Sequence, residues 1–179
     1  ALPILNLIIA AFHSNCGGQT VNSEDVWSTP TTYLKSVTDT FCLKQPHAKW
    51  QRSIPLEDWQ TYLQLKHKYT PDDTITGNNN NINFNQQAGR AIYYVDRGLK
   101  IPLKTIRADF QLKSTYFSIS QVGNQIIFNG RGYGHGVGLC QEGAMRMAQL
   151  HYSYKDILNF YYKNVHLVDL NALNYFKQE

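Results

Sequence analysis

The sequence predicts a single α+β domain, mostly antiparallel sheet with C-terminal helices, and three observations predict it. The chain has 179 residues, enough for one hydrophobic core and short of two. Between residues 91 and 128, four short runs rich in β-branched and aromatic residues recur at hairpin spacing. Beyond residue 140 the apolar period lengthens to that of a helix.

Taken in order, residues 1–12 are strongly apolar. They lack a positive leader, begin without Met, and contain Pro3 and Asn6, so they read as a buried strand rather than a signal peptide. A domain that opens inside a strand reads as a fragment of a larger one. Residues 13–30 are turn-rich, carrying Gly17-Gly18, Asn22-Ser23 and Thr29-Pro30. A short strand is expected over 31–37, then a basic, aromatic piece that includes His47 and Trp50.

A helix is expected to start at 53–59, where Ser53 or a neighbour caps, Pro55 suits the first turn, and Glu57-Asp58 sit at the positive end of the dipole. Leu56, Trp59, Tyr62 and Leu63 share one face, which packs as core. Residues 71–85, with Gly77 and four consecutive asparagines, read as a long surface loop. Strands follow at 91–95, 101–106, 116–120 and 125–128, with a turn at 122–124 joining the last two. Helices are expected over 140–150 and 154–162, the second begun by a Ser153 cap with Asp156 at its third position.

Composition narrows the function classes. Seventeen basic against 13 acidic side chains give a formal charge of +4. That mild excess suits polyanions such as cell-wall polymers but argues against nucleic acid in the absence of a basic cluster. Charged residues are 17% of the chain, below the usual ~25%, which excludes charge-driven disorder. Aromatics at 13% supply rings able to stack on sugars. No apolar run approaches the roughly 20 residues of a membrane span.

Two segments stand apart. One is residues 12–20, with His13, Ser14, Cys16, Gly17 and Gly18. The other is residues 130–144, with six glycines in its first fourteen residues, leading directly into a helix. Such glycines let backbone approach another group closely and leave N–H groups free. The spacing is not that of a nucleotide-binding loop, because Gly132-x-Gly134-x-x-x-Gly138 departs from G-x-G-x-x-G and no G-K-S/T follows.

His13 and His135 can act as general bases, metal ligands or structural residues. Their placement beside Gly and Cys in the two unusual loops points to a shared site. Cys16 and Cys140 pose a parallel choice. A disulfide or closely packed thiols is the plain reading, followed by a Cys2His2 zinc site and then a thiol nucleophile. Cys42 reads as a buried thiol. No C-x-x-C or H-x-x-x-H occurs, and three cysteines allow at most one internal disulfide.

The string from Phe12 to Trp27, the run Tyr33-Leu34-Lys35-Ser36-Val37, and Pro46-His47-Ala48-Lys49-Trp50 resemble the stage II sporulation protein D family, also called the LytB or amidase-enhancer family. Residues 130–144, followed by Tyr154-Lys155-Asp156-Ile157-Leu158 and Tyr161-Tyr162, resemble its C-terminal signature. The resemblance runs from about residue 9 to about residue 168, in order. It implies a periplasmic or cell-envelope peptidoglycan lytic transglycosylase acting on glycan strands stripped of stem peptides. In that chemistry an acid protonates the leaving oxygen and the sugar's own C6 hydroxyl closes a 1,6-anhydro ring, so one carboxyl group can serve as acid and then base.

The resemblance further implies that His13, Ser14, Gly17, Gly18, Tyr133, His135 and Gln141 line the glycan cleft. His135 would orient the catalytic Glu and substrate, and His13-Ser14 would bind sugar hydroxyls or acetamido groups. The family's catalytic Glu lies on an upstream Ala-rich helix that nothing in this sequence matches. Either the acid is therefore expected from a missing N-terminal segment or a partner chain, or the chain by itself is expected to be inactive. Glu24, Asp25 and Glu142 are the carboxylates inside the matching motifs. Glu24-Asp25 are expected to organise a turn, and Glu142 the first turn of a helix. Many family members carry Ser where this chain has Cys16 and Cys140, so Cys at both implies neighbouring sulfurs and a Cys16–Cys140 disulfide. The alternative implied function is a non-catalytic glycan-binding module that enhances a cell-wall amidase. A third reading is a Cys–His hydrolase of wall peptides.

Overall fold

The computed structural model describes residues 6–69, 82–85, 89–96 and 98–169. Its elements, in chain order, are β1 (Phe12–His13), α1 (Ser23–Trp27), β2 (Lys49–Pro55), α2 (Leu56–His67), β3 (Asn83–Phe84), β4 (Tyr93–Asp96) and β5 (Leu99–Pro102). They continue with α3 (Leu103–Asp109), β6 (Phe117–Val122), β7 (Gln125–Arg131), β8 (Leu139–Cys140), α4 (Gln141–Gln149) and α5 (Tyr154–Tyr161). The fold is α+β. A four-stranded antiparallel sheet runs β2-β7-β6-β3, β4 and β5 form an antiparallel hairpin, and β1 pairs β8 in parallel. Among the described residues no helix is long and apolar enough to cross a membrane.

Two apolar clusters hold these pieces. The first lies under the four-stranded sheet. Strand β2 buries Trp50 and Ile54 while Lys49, Gln51 and Ser53 face outward, and β7 buries Ile126 and Phe128. Helix α2 presents Trp59, Tyr62 and Leu63 to this face, as its spacing predicts. Trp59 is the centre of the cluster, with ring contacts to Tyr62, Tyr94, Phe110 and Phe128 at 5.5–5.8 Å. Burying these rings is a large part of the apolar stabilisation of this half. The second cluster joins Ala11, Val21, Leu34, Val137, Met147 and Tyr161 to the three cysteines.

Several expectations hold. The β6–β7 hairpin turns through Gly123-Asn124, with Gly123 at φ +58°. Helix α5 opens with the Ser153–Asp156 capping box. Others are corrected. Residues 6–10 are not a buried strand: Leu7 is 93% exposed, and strand geometry begins at Phe12. Residues 31–37 form no strand, because their backbone bonds go to separate points of the 20–23 segment, Thr20 to Val37 and Ser23 to Leu34, rather than to a continuous ladder.

Ser53 belongs to β2 and does not cap α2; Pro55 occupies the cap position instead. Pro102 ends β5, so the second half of the 101–106 run is helix α3, which buries Leu103 and Ile106. Glu24 and Asp25 lie in helix α1, where a turn was expected. Much of the 71–85 loop lies outside the described residues, and its end carries strand β3.

Candidate functional site

The parallel pairing of β1 with β8 sets Phe12 beside Leu139 and His13 beside Cys140, which brings the two unusual loops together. A second contact follows at once: Asn15 and Tyr133 exchange both backbone bonds, at 2.8 and 3.1 Å. Val21 bridges Val137 in parallel. Gly138 sits at φ +73°, and a Cβ there would overlap the Ala11 carbonyl. Only glycine therefore allows β1 to lie this close.

His13 and His135 meet, with ring centroids 5.6 Å apart. His13 is 4% exposed; its Nδ1 donates to the Val137 carbonyl at 3.1 Å, which leaves Nε2 with its lone pair and no hydrogen-bond partner. His135 Nδ1 accepts from the Val137 N–H at 3.0 Å, and its ring tilts against Trp27 at 5.4 Å. Burial lowers both imidazoles, His13 from 6.5 to about 3. Both are thus neutral near pH 7 and offer hydrogen bonds, not fixed positive charge. His135 opens on a small recess of about 40 Å³ shared with Asp25, Lys104, Arg107 and Thr115.

The outer face of the site is different. Tyr133 is 42% exposed, Gln141 is exposed, and Ser14 and Gly18 are half-buried. His13 and Gly17 are buried behind them, where Gly17 packs on Arg131 and supports the loop instead of lining an open cleft. Sequence reasoning missed what frames this face. His47 lies 5.4 Å from the Tyr133 ring, and its Nδ1 bonds Glu142 at 2.6 Å. Asn15 Nδ2 donates to the same carboxylate at 2.6 Å and to the Cys42 carbonyl at 3.0 Å. Glu142 stands in the first turn of α4, as expected, with its N–H on the Ser14 carbonyl. Half-buried Arg90 ties the first loop down through the Gln19 carbonyl at 2.9 Å.

No disulfide joins Cys16 and Cys140, because all three cysteines are free and buried. Their sulfurs are nonetheless close, and Cys42, given no role by its sequence context, joins them. Cys16 Sγ lies 3.3 Å from Cys42 Sγ and 3.3 Å from Asp39 Oδ2, and the Cys16 N–H points at Cys140 Sγ at 3.3 Å. The donor atoms of Cys16, Asp39, Cys42 and Cys140 all lie within 4.8 Å of one another. Neither His13 nor His135 belongs to this group. Hydrogen bonds from the Cys140 and Cys16 thiols lower Cys42 strongly, hydrogen bonds to Cys140 and Cys42 push Cys16 up, and burial raises Asp39.

A larger groove, about 520 Å³, crosses the open face of the four-stranded sheet between Lys49, Gln51, Tyr116, Asn129 and Arg131. The outward alternation in β2 was the signal for it.

No protein-family model matches the chain. It is 32% identical over 171 residues to an uncharacterized protein of Brachyspira hyodysenteriae, covering 94% of this chain and 45% of that protein. It is 30% identical over 165 residues to the stage II sporulation protein D of Bacillus amyloliquefaciens, covering 92% of this chain and 46% of the relative. Over nearly its whole length the chain is therefore similar to the stage II sporulation protein D and amidase-enhancer proteins. The Bacillus subtilis amidase enhancer is 26% identical over 208 residues, covering 88% of this chain and 29% of that protein. The chain thus spans less than half the length of these relatives.

Proposed function

We propose that this chain contributes the glycan-binding part of a peptidoglycan lytic transglycosylase, which cleaves the MurNAc–GlcNAc β-1,4 bond of peptide-stripped strands to a 1,6-anhydro product. The catalytic carboxylic acid comes from a residue outside these 179. The substrate places the activity in the cell envelope, outside the cytoplasmic membrane. The observation that carries this reading is the joining of the 12–20 and 130–144 loops through β1 and β8, with Tyr133, Gln141 and Ser14 on the accessible side.

In this account Tyr133 stacks on a sugar ring, and Ser14 and Gln141 bond hydroxyl or acetamido groups. Neutral His135 acts as a positioning residue for the incoming acid. An external acid fits the carboxylates in hand. Glu24 pairs with Lys35 at 2.7 Å, Asp25 accepts from Asn22 at 3.0 Å, and Glu142 is held by His47 and Asn15. A general acid needs a proton to give and a free approach to the leaving oxygen, and these groups have other commitments.

The test is mass spectrometry of soluble products from peptide-stripped peptidoglycan incubated with this chain and, in parallel, with the full-length parent. Anhydro sugars from the parent alone are expected. Anhydro sugars from this chain alone would overturn the external acid. No product from either would favour a second reading, a non-catalytic glycan-binding module that stimulates a cell-wall amidase. The similarity to a protein named amidase enhancer is what keeps that reading in view.

A further inference from the structure

Asp39 is fully buried in an otherwise apolar cluster, and among the described residues no Lys, Arg or His pairs with it. Buried carboxylates are normally paired with a cation or coordinate a metal. Its partners are the Phe41 N–H at 2.9 Å, the Tyr161 hydroxyl at 2.9 Å and the Cys16 thiol at 3.3 Å. The thiols are weakly satisfied as well: Cys16 Sγ lies 3.3 Å from both Asp39 Oδ2 and Cys42 Sγ, while Cys42 and Cys140 reach the Asp39 and Ser14 carbonyls only at 3.6 and 3.9 Å. Four donor atoms from three separated segments converge on one point without a positive charge between them.

We propose that Cys16, Asp39, Cys42 and Cys140 bind one zinc ion as a closed, structural, four-ligand site. Zinc–sulfur bonds of ~2.3 Å give a tetrahedron with edges of about 3.8 Å, the scale on which these atoms are gathered. Three soft thiolates select zinc over magnesium, calcium or manganese, and donor atoms within 4.8 Å of one another suit a single ion better than a cluster. The surroundings fit thiolate charge. The Cys16 N–H reaches Cys140 Sγ, α4 begins directly after Cys140 with its positive end toward the site, and the Tyr161 hydroxyl orients Asp39. Gly143 completes the fit, because a Cβ there would strike both Asp39 and the Tyr161 hydroxyl. Binding deprotonates the thiols and releases those protons to solvent. The ion would clamp the segment after β1 and the 39–42 turn to β8, the same join that assembles the two loops. The inference is independent of the transglycosylase reading.

The experiment is elemental analysis of the protein purified with reductant and without chelator, together with replacement of the metal by Co²⁺. One zinc per chain is expected, and the cobalt form should show intense tetrahedral bands and a thiolate-to-metal charge-transfer absorption. Cys42→Ser should lose the metal or bind it far more weakly. Tyr161→Phe, which keeps every ligand, should weaken binding about 10- to 100-fold in chelator competition. If Cys42→Ser does not fold, the wild-type cobalt spectrum and Tyr161→Phe still decide. A folded wild type without metal, whether its thiols are all titratable or two are oxidised to a disulfide, would overturn the site. Full zinc retention in folded Cys42→Ser would overturn this ligand set.

Discussion

Replacing Gly138 with Ala tests the close approach on which the two-loop site depends. The residue sits at φ +73°, where a Cβ alone costs about 1–2 kcal/mol. The new methyl would also overlap the Ala11 carbonyl, which accepts the 2.9 Å bond from the Leu139 N–H. Displacing that carbonyl forfeits a bond worth roughly 0.5–1.5 kcal/mol. Together, Gly138→Ala should cost about 1.5–3.5 kcal/mol, a large share of a typical stability of 5–15 kcal/mol. Gly123→Ala is the internal reference: its φ is +58°, but nothing lies within 4 Å of the added Cβ, so it carries the conformational cost alone. Urea unfolding of both variants, followed by tryptophan fluorescence, should show Gly138→Ala less stable than Gly123→Ala by about 0.5–1.5 kcal/mol. Equal losses would refute the argument that β1 packs against β8 through a contact only glycine permits.

Other outcomes follow from the same structure. His13 has a lower pKa folded than unfolded, so below pH 6.5 the unfolded chain takes up the proton first. Stability should fall as pH drops from about 6.5 toward 3, by up to about 1.4 kcal/mol per pH unit, with His135 adding in the same direction. His13→Gln should flatten that slope in pH-dependent unfolding, and an unchanged slope would contradict it. Trp59→Ala should cost about 3–5 kcal/mol in thermal or urea unfolding, because it empties the centre of the sheet-side core. Ser153→Ala should cost about 1 kcal/mol by removing the capping box of α5, measured the same way. Glu142→Ala strips an acceptor from buried Asn15 and from His47, and should cost about 1–2 kcal/mol in urea unfolding.

The sequence marks those parts of the site that need unusual residue types. Glycines dense enough to permit close backbone contact, with His13 and His135 beside them, pointed to the 12–20 and 130–144 loops, and these meet through β1 and β8. The β6–β7 hairpin and the Ser153 cap were legible because their signals are local. What the sequence hid is tertiary. Cys42 and Asp39 reach Cys16 and Cys140 because a turn folds back on the loops, and no spacing rule encodes that convergence. The His47–Glu142 contact joins residues 95 positions apart. Helix α1 has five residues, too few to show a period, and α3 was concealed behind strand-forming residues after Pro102. Residues 6–10 misled because hydrophobicity alone does not supply a pairing partner.

The central claim is that the two joined loops form one face that takes peptide-free glycan. Titrating a GlcNAc–MurNAc oligosaccharide without stem peptides into ¹⁵N-labelled protein tests it most directly. The account predicts amide shifts clustered at Ser14, Gly18, Tyr133, Gly134, His135 and Gln141. Shifts confined to the sheet groove around Lys49, Gln51 and Asn129, or no shifts at saturating sugar, would contradict it.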